Sequence, residues 1–294
     1  MNPLPKLAQL SGLVWRILGC NPGPMTLQGT NIYLVGAGRK RVLIDAGQDG
    51  FPDYVKNLTD LLSQQGVTID KILITHWHQD HIGALKDLRD SIFNKIVPPP
   101  AVYKFPRRDV PDPPLPEGYD LEELKDNQRI SAGDANLRIL YTPGHTTDHV
   151  AILLEEEKAI FSGDCILGEG TTVFEDLHDY MLSLEKIMAE EASIIYPGHG
   201  PIVSNPKEKI TFYLNHRRER ERQILDVLKT PPAEGSSSKR MTAAEIVRIV
   251  YQETPVHLYP AAERNVEHHL EKLIKEKRVQ RKEDMYFYVD DTKL

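Results

Sequence analysis

The sequence predicts an α/β protein with a second, smaller module at its C-terminal end. Up to about residue 200 the chain consists largely of short apolar runs rich in β-branched residues, separated by Gly and Pro turns and by stretches with helical spacing. From residue 241 the pattern changes to two helical stretches followed by one short alternating segment. The 294 residues are enough for one large domain and one small domain.

Composition and charge are those of an ordinary soluble globular protein. Hydrophobic residues make up 40% of the chain and charged residues 27%, and no apolar run approaches the roughly 20 residues of a membrane span. Cys20 and Cys165 lie far apart, so no disulfide framework is implied and a reducing compartment is expected. The net charge is −7, but the part from residue 207 onward is mildly basic. This indicates either a polyanionic partner or solvated helix faces of mixed charge.

The N-terminal stretch MNPLPKLAQLSGLVWRILG bears on localisation. It has no compact apolar core ending in a small-residue cleavage site, so secretion is not expected. It lacks acidic residues until Asp45, as mitochondrial presequences do, but it carries only Lys6 and Arg16 as basic residues. Composition therefore leaves a mitochondrial and a cytoplasmic location open.

The first regular elements are a hairpin and a helix. The apolar runs TNIYLVG (30–36) and RVLIDAG (41–47) are joined by a Gly-containing turn, which predicts two paired strands. The segment DYVKNLTDLLSQQG (53–66) has apolar residues at helical spacing and predicts a helix that ends at Gly66.

Five apolar, β-rich runs follow a common design. They are KILIT (71–75), LRILYTPGH (137–145), VAILLEE (150–156), AIFSGD (159–164) and SIIYPGH (193–199). The first run is followed directly by His76, and three of the others finish at a His or an Asp beside a Gly. Strands that end in such residues bring them together at one edge of a sheet.

A proline-rich segment, IVPPPAVYKFPRRDVPDPPLPEG (96–118), interrupts these runs. It contains eight prolines, and proline fixes φ and removes a backbone donor. The segment is therefore predicted to be neither a helix nor a central strand. We expect an extended surface loop or, as a sharper hypothesis, a wall beside the active site.

The C-terminal part predicts a winged-helix-like domain. A charged helix at 207–229 is followed by a linker rich in Pro, Gly and Ser at 230–240. Thr242 and Glu245 form a capping box that opens one helix, a second helix covers about 261–277, and 278–289 predicts a two-stranded hairpin. We therefore predict a first domain at 1–229, a linker at 230–240 and a second domain at 241–294.

The chemistry of the chain is concentrated in its histidines and aspartates. His76-x-His78-x-Asp80-His81 places four ligand types within one loop, and Pro-Gly turns precede both His145 and His199. Asp164 ends another strand, where its carboxylate can bridge two ions. Imidazole and carboxylate without thiolate suit zinc, with manganese or iron as alternatives. A purely structural role is a poor explanation for five of eleven histidines in such settings.

Other candidate residues have supporting or structural roles in this interpretation. Asp45 is expected to orient the His76 loop through hydrogen bonds, and His149 to support or pack against the site. Cys165 should point away from Asp164 and be packed. The remaining histidines are predicted to be surface residues: His178, His216, His257, His268 and His269.

The motif set resembles the metallo-β-lactamase family, whose fold is an αββα sandwich with a dinuclear zinc site between its sheets. The resemblance covers about residues 12–228. Three stretches, at 19–36, 142–149 and 160–177, are similar to the lactamase-β-2-like proteins of the glyoxalase II-like branch. Those proteins also carry a winged-helix-like tail. One departure is Ala84, where many members have a second Gly after Gly83; Ala is small, so little changes.

The resemblance implies a ligand assignment and an activity. His76, His78 and His145 would hold one zinc, Asp80, His81 and His199 a second zinc, and Asp164 would bridge the two. Relatives of this kind are endoribonucleases of the mitochondrial matrix, which implies hydrolysis of single-stranded RNA by a metal-bridged hydroxide.

Further roles follow under this hypothesis. Asp80 would help proton transfer, and the basic run at 216–222 would contact RNA through Arg217, Arg218 and Arg222. The interleaved Glu residues also form helical ion pairs, so a solvated helix face explains this run nearly as well.

Two rival functions remain open. A thioesterase of the glyoxalase II type would use the same seven ligands on an acyl carbon. A non-catalytic adaptor would bind nucleic acid through the winged helix. Antibiotic hydrolysis is the weakest option, because no secretion signal is expected. The specialised ribonucleases of this fold are also disfavoured, because the 34 residues between Asp164 and His199 leave no room for the nuclease domain that they insert there.

Overall fold

The strands predicted up to residue 200 form two sheets in a computed structural model, which describes residues 2–94, 96, 98–230 and 240–289. The chain clusters into two compact units. One runs up to Glu175 and includes Leu182–Ile210, and the other consists of Asp176–Met181 and the residues from Thr211 onward. Both sheets belong to the first unit.

The first sheet has seven strands in the order in which they occur along the chain. They are β1 (Leu7–Gln9), β2 (Val14–Leu18), β3 (Asn31–Val35), β4 (Lys40–Ile44), β5 (Thr68–Ile74), β6 (Ala101–Lys104) and β7 (Leu121–Glu123). The predicted hairpin is confirmed, since β3 and β4 pair antiparallel with Leu34 opposite Leu43. Pairing turns parallel between β4 and β5 and stays parallel through β7.

The second sheet has five strands in the order β12-β11-β10-β9-β8. They are β8 (Arg129–Ala132), β9 (Ala135–Tyr141), β10 (Val150–Leu154), β11 (Ala159–Gly163) and β12 (Ile194–Pro197). Four of the five runs that the sequence singled out lie here, and the fifth is β5. The β11–β12 pair is parallel and the other pairs are antiparallel.

Apolar side chains fill the space between the two sheets. This core combines Tyr33 and Leu73 of the first sheet with Ile139, Ile152 and Phe161 of the second. All five are buried, as expected where strands from two sheets face each other.

Among the described residues the α-helices are α1 (Pro52–Gln65), α2 (Gln79–Ile82), α3 (Leu85–Ser91), α4 (Leu177–Ala189) and α5 (Pro206–Lys229), with α6 (Ala243–Val250) and α7 (Tyr259–Lys275) near the C-terminus. Helices α1 and α3 cover the outer face of the first sheet. Helix α1 packs Leu58 and Leu61 against the first sheet. Its end is the predicted one, because Gly66 adopts the left-handed conformation with φ 61°.

The proline-rich segment differs from its prediction in part. Residues Ala101–Lys104 form β6, which lies between β5 and β7 and is therefore an internal strand. The exclusion of a central strand was wrong at these four positions because the prolines end at Pro100 and resume at Pro106, so the intervening backbone keeps its donors.

The second unit has the predicted winged-helix elements. Thr242 and Glu245 form both halves of the capping box that opens α6, and α7 is followed by the hairpin β13 (Val279–Lys282) and β14 (Met285–Tyr288). Their apolar faces pack together with Ile224 and Leu228 of α5.

Two predicted features of this region need comment. The sequence placed the whole of α5 in the first domain, whereas its residues from Thr211 onward cluster with the second unit. Most of the predicted linker, residues 231–239, lies outside the described residues.

Two further expectations concern single residues and membranes. His269 was predicted to lie at the surface, and this was wrong: it is fully buried, since it falls on the apolar face of α7 beside Leu270. Among the described residues, no helix has the length and apolarity to cross a membrane.

Candidate metal centre

Strand ends position the predicted ligands. The loop after β5 carries His76, His78, Asp80 and His81, and the connection between β9 and β10 carries His145. Asp164 directly follows β11, and His199 follows β12 by two residues. Because β4–β5 and β11–β12 are parallel pairs, the carboxyl ends of these strands lie together within each sheet. The short distance from Asp164 to His81 shows that the two edges adjoin. The structure therefore brings together all seven side chains that the sequence singled out.

The first group contains three imidazoles and a carboxylate: His76, His78, His145 and Asp164. The Nδ1 atom of His78 lies 2.9 Å from His76 Nε2 and 3.1 Å from His145 Nε2. His145 Nε2 lies 3.7 Å from Asp164 Oδ2. Since His145 Nδ1 donates to the carbonyl of Val173 at 2.8 Å, its Nε2 keeps a lone pair that faces the other two rings.

The second group contains Asp80, His81 and His199. Asp80 Oδ2 lies 3.2 Å from the Nε2 atoms of both histidines. Asp164 also reaches this group, with Oδ1 3.4 Å from His81 Nε2 and Oδ2 3.3 Å from His199 Nε2. The Asp164 carboxylate thus lies between the two groups, where the sequence placed a bridging ligand.

These residues fit a bound metal. His81 Nε2 and Asp164 Oδ1 are buried polar atoms without a hydrogen-bond partner among the described residues. Such atoms are costly to bury unless another group satisfies them. Lone pairs that converge from imidazoles and carboxylates are the donor set that zinc and related divalent ions prefer.

The three imidazoles of the first group are kept neutral. Burial lowers the pKa of His76 well below its ordinary value, and the neighbouring His81 and His145 lower it further. Burial and His145 together lower the pKa of His78 to about 4, and burial lowers that of His145 as well. A metal can therefore bind these rings at neutral pH without displacing a proton.

The second group is charged. Burial opposes protonation of His199, but Asp164 and Asp80 outweigh it and raise the pKa of this imidazole to about 9. His81 responds in the same way, with its pKa raised well above the ordinary value by Asp164, Asp80 and Asp45 against the effect of burial. Although burial would raise it, the pKa of Asp80 lies far below its usual range because His81 and His199 stabilise the carboxylate.

Asp45 supports the ligand loop, as the sequence predicted. Its Oδ1 accepts from the Thr75 backbone N–H at 2.8 Å, and its Oδ2 accepts from the Thr75 hydroxyl at 3.0 Å. His81 Nδ1 lies 2.7 Å from the same Oδ2. An ionised carboxylate only accepts, so His81 donates from Nδ1 and directs Nε2 at the metal group, where a lone pair becomes available once the imidazolium loses its Nε2 proton. The Thr75 hydroxyl also contacts His76 Nδ1 at 3.0 Å.

Two supporting residues were missed by the sequence analysis. The Thr30 hydroxyl donates to Asp80 Oδ2 at 2.9 Å. Asn21 holds Thr30 in turn, because its Nδ2 donates to the Thr30 hydroxyl at 3.0 Å and its Oδ1 accepts from the Thr30 N–H at 2.8 Å. Both residues lie in the stretch 19–36, which is one of the three that carry the family resemblance. Thr and Asn are common in loops, however, and nothing in their spacing indicates this contact.

The turn that carries His199 is fixed from the opposite sheet. Asn31 Nδ2 donates to the carbonyls of Pro197 and Gly200, each at 2.9 Å, and the Tyr33 hydroxyl donates to Pro197 O at 2.7 Å. Gly198 is required between them, since a Cβ there would overlap Asp164 Oδ1. This close approach explains the Pro-Gly-His sequence at this ligand.

Two side chains near Asp164 lie where the sequence placed them. His149 is fully buried, and its Nε2 accepts from the Asp164 backbone N–H at 3.1 Å. Its Nδ1 faces the Thr142 hydroxyl at 2.9 Å, so the ring supports the site rather than joining either ligand group. Cys165 is fully buried, and burial raises the pKa of its thiol beyond the physiological range.

A cavity of about 220 Å³ opens above the ligands. His78, Asp80, His145, Asp164 and His199 line its floor. The rest of its lining includes the polar Glu169, Thr171 and Thr172 and several apolar side chains, of which two are strongly exposed, Met25 at 65% and Val173 at 55%. A larger open groove of about 580 Å³ beside α1 and α3 is lined by none of these ligands.

Comparison with known families gives the centre its context. A model of the metallo-beta-lactamase superfamily matches residues 25–199, a range that contains all seven ligands. The chain belongs to the metallo-β-lactamase superfamily. A model of the beta-lactamase associated winged helix domain matches residues 242–288, which confirms the predicted C-terminal module.

Individual relatives within the metallo-β-lactamase superfamily cover nearly the whole chain. The Beta-lactamase-like protein 2 homolog of Drosophila melanogaster is 48% identical over 294 residues, which is 98% of each chain. The Atrochrysone carboxyl ACP thioesterase of Aspergillus fumigatus is 40% identical over 256 residues, 86% of this chain and 78% of that protein. The first relative confirms the resemblance to lactamase-β-2-like proteins, and the glyoxalase II-like branch stays a prediction.

A solved structure shows the same fold. The beta-lactamase domain protein from Burkholderia ambifaria superposes with a TM-score of 0.74 at 19% sequence identity, covering 96% of this chain and 93% of that chain. This similarity, together with the family models, confirms the predicted metallo-β-lactamase fold with a winged-helix domain. The superfamily is hydrolytic and metal-dependent, so this chain is a candidate metal-dependent hydrolase.

The arginines predicted to contact RNA differ in their exposure. Arg217 is only 8% exposed, and burial lowers the pKa of its guanidinium. It is not available for a phosphate at the surface, because it lies on the packed side of α5. The sequence pattern does not reveal which side of this helix is packed. Arg218 is exposed. Arg222 is exposed but pairs with Glu219 and Asp226 along its own helix. These pairs are the ones expected of a solvated helix face, the alternative that the sequence left open.

Proposed function

We propose that this metallo-β-lactamase-superfamily protein is a zinc-dependent endoribonuclease that hydrolyses phosphodiester bonds of single-stranded RNA. The observation that carries the proposal is the pair of adjoining ligand groups that share Asp164 beneath an open cavity. Paired metal sites suit in-line displacement at phosphorus because attacking and leaving oxygens both need stabilisation.

Each side chain has a defined task in the proposed reaction. His76, His78 and His145 would hold one zinc, and Asp80, His81 and His199 the other, with Asp164 shared. Zinc in such sites acts as a Lewis acid and lowers the pKa of water. Thr75 and Asp45 keep the rings of His76 and His81 in the tautomers that direct Nε2 inward.

Asp80 handles the proton of the attacking water. Its carboxylate stays ionised because its pKa is far below the usual range. Such a group holds a proton only briefly, so Asp80 would orient the water through a hydrogen bond and pass its proton to the leaving oxygen of the P–O bond that breaks. Thr30 fixes the carboxylate by donating to Oδ2 at 2.9 Å, which sets the direction of this hydrogen bond.

A second candidate function is thioester hydrolysis. The fungal relative is named an acyl carrier protein thioesterase, and the exposed Met25 and Val173 could contact an acyl chain. The same ligands could act on an acyl carbon. A non-catalytic adaptor is a weaker alternative than either hydrolase, because it leaves two buried ligand groups beneath an open cavity without a use.

The deciding experiment compares substrates on one preparation. Purified protein is incubated with single-stranded RNA, duplex RNA and a glutathione thioester, each with and without chelator. We expect internal cleavage of single-stranded RNA that chelator abolishes. Efficient hydrolysis of the thioester with intact RNA would overturn the proposal in favour of the second candidate.

Matched variants show whether cleavage comes from this site. Asp164→Asn should abolish RNA cleavage. Asp134→Asn makes the same chemical change on the exposed turn between β8 and β9 and should leave cleavage unchanged. Cleavage that survives Asp164→Asn would point to a contaminating nuclease. The proposal includes a location in the mitochondrial matrix, with the cytoplasm as the alternative, which fractionation of cells producing the protein tests.

A further inference from the structure

The proline-rich segment lies beside the ligand loops and presents one exposed arginine. Arg107 lies over the ring of Trp77 at 4.3 Å, and Trp77 stands between the ligands His76 and His78. The Arg108 backbone N–H donates to the Thr147 hydroxyl at 3.3 Å, two residues beyond the ligand His145. The segment thus contacts both ligand loops and forms the wall that the sequence offered as its sharper hypothesis.

Most charges on this wall are neutralised by direct pairs. The buried Lys104 contacts Asp112 at 2.5 Å and Asp148 at 2.8 Å. Arg107 pairs with Asp109. Arg108 is exposed, and within the described ranges no carboxylate lies at ion-pair distance from its guanidinium. Its positive charge is therefore available to a ligand.

Aromatic rings hold the Arg108 guanidinium in place. It lies 4.7 Å from the centre of the Tyr141 ring and 5.9 Å from that of Phe105. The two rings are stacked at 4.1 Å with an interplanar angle of 10°. The Tyr141 hydroxyl donates to Thr147 O at 2.9 Å, which ties the stack to the His145 loop. A guanidinium held on a ring keeps its N–H edge free and loses less side-chain entropy on binding.

We propose that Arg108 binds a backbone phosphate of the RNA strand adjacent to the phosphate at the metal centre. The inference rests on the proposed function and adds a subsite to it. A guanidinium donates two parallel hydrogen bonds to phosphate oxygens, and such charge-assisted pairs are stronger than neutral ones. An RNA strand extends beyond the cavity above the ligands and so reaches the wall, whereas a minimal phosphodiester does not.

The test compares Arg108→Gln with Arg39→Gln. Arg39 is an exposed arginine in the turn before β4, at the strand end opposite Asp45, so its replacement makes the same charge change away from the site. Substrates are a long single-stranded RNA and bis(4-nitrophenyl) phosphate. We expect Arg108→Gln to lower kcat/KM for RNA about tenfold, as loss of one charged hydrogen-bonded contact does. Hydrolysis of the small diester should not change, and Arg39→Gln should match the wild type on both.

The salt dependence gives a second readout. One lost phosphate contact should reduce the slope of log affinity for RNA against log salt by about 0.7. Arg108→Lys, which keeps the charge without the planar fork, should retain the slope and recover part of the affinity. Thermal unfolding of the variants shows whether Arg108 only shields the aromatic stack.

The outcomes separate the two proposals. If the wild type cleaves RNA and Arg108→Gln behaves identically in rate and salt slope, the phosphate subsite is refuted and the nuclease stands. Equal losses on RNA and on the small diester, with a lowered unfolding temperature, also refute the subsite in favour of a structural role. If the wild type cleaves no RNA, the nuclease itself fails and the subsite fails with it.

Discussion

Replacing Asp45 by Asn should change which nitrogen carries the proton in neutral His81, the form of this imidazole that can bind a metal. In the native protein the Asp45 carboxylate accepts from His81 Nδ1 at 2.7 Å and from Thr75 through both oxygens. An amide offers one accepting oxygen and one donating NH₂ group. If the oxygen keeps the Thr75 N–H, the NH₂ faces His81 Nδ1, which must then accept. The proton moves to Nε2, and the metal group loses that lone pair.

The size of the effect follows from the contact that is lost. A hydrogen bond to a charged group contributes about 1.5–3 kcal/mol, and loss of such a support to a metal ligand lowers affinity by roughly 10–100-fold. The loss should fall on the group of Asp80, His81 and His199, because His76 contacts Asp45 only through Thr75. Titration of metal-free protein with zinc against a chromophoric chelator should therefore show one weakened site and one unchanged site.

A control separates this effect from general destabilisation. Glu190 pairs with Arg138 on the first unit, and its side chain is only one-fifth exposed. Glu190→Gln removes a partly buried carboxylate away from the ligands, so it should affect stability without changing zinc affinity. Full zinc affinity at both sites in Asp45→Asn would refute the tautomer argument. Equal weakening in both variants would assign the loss to loosened packing.

Three further predictions concern metal and stability. Protein purified without chelator should contain up to two zincs per chain by elemental analysis, and Asp164→Asn should lower that content because its carboxylate contacts both groups; a zinc-free yet folded wild type would contradict the assignment. Zinc affinity at the second group should rise with pH through about 9, where His199 loses its proton, because the raised pKa of His81 also keeps that ring protonated. Affinity at the first group should not change near neutral pH, because burial lowers the pKa of all three of its imidazoles. Calorimetric titrations with zinc at acidic and neutral pH should show one site that does not depend on pH and one that releases protons. Identical behaviour of the two sites would contradict the neutral first group and the charged second group. Thr242→Ala should destabilise the C-terminal unit by about 1 kcal/mol through loss of the capping box, and an unchanged thermal unfolding curve would count against that role.

The clustering of the seven candidate ligands could be predicted from the sequence because their chemistry is unusual. Histidine and aspartate are rare at the ends of apolar runs unless they bind something, so His145, Asp164 and His199 could be recognised from local context. Thr30 could not, because its role depends on a distance to Asp80 fifty residues away. A hydroxyl that supports a ligand looks like any other loop residue until the fold is known.

The residues that sequence analysis misplaced share a different cause. His269 and Arg217 are polar, so their positions on charged helices predict exposure, yet both are buried. The side of a helix that is packed depends on the elements it contacts. In α5 the many charged residues make the packed side difficult to recognise from the sequence alone. Strand β6 was missed for a different reason, because the prolines on both sides of this four-residue segment predicted a loop.

The hydrogen bonds from Asn31 and Tyr33 to the turn at Pro197 join residues separated by 164–169 positions. Contacts of such long range form late in folding, because a large loop must close before they gain any energy. The His199 ligand is therefore in place only once both sheets have docked. Zinc added to the refolding chain should consequently leave the folding rate nearly unchanged and act by slowing unfolding, since it binds an arrangement absent from the transition state.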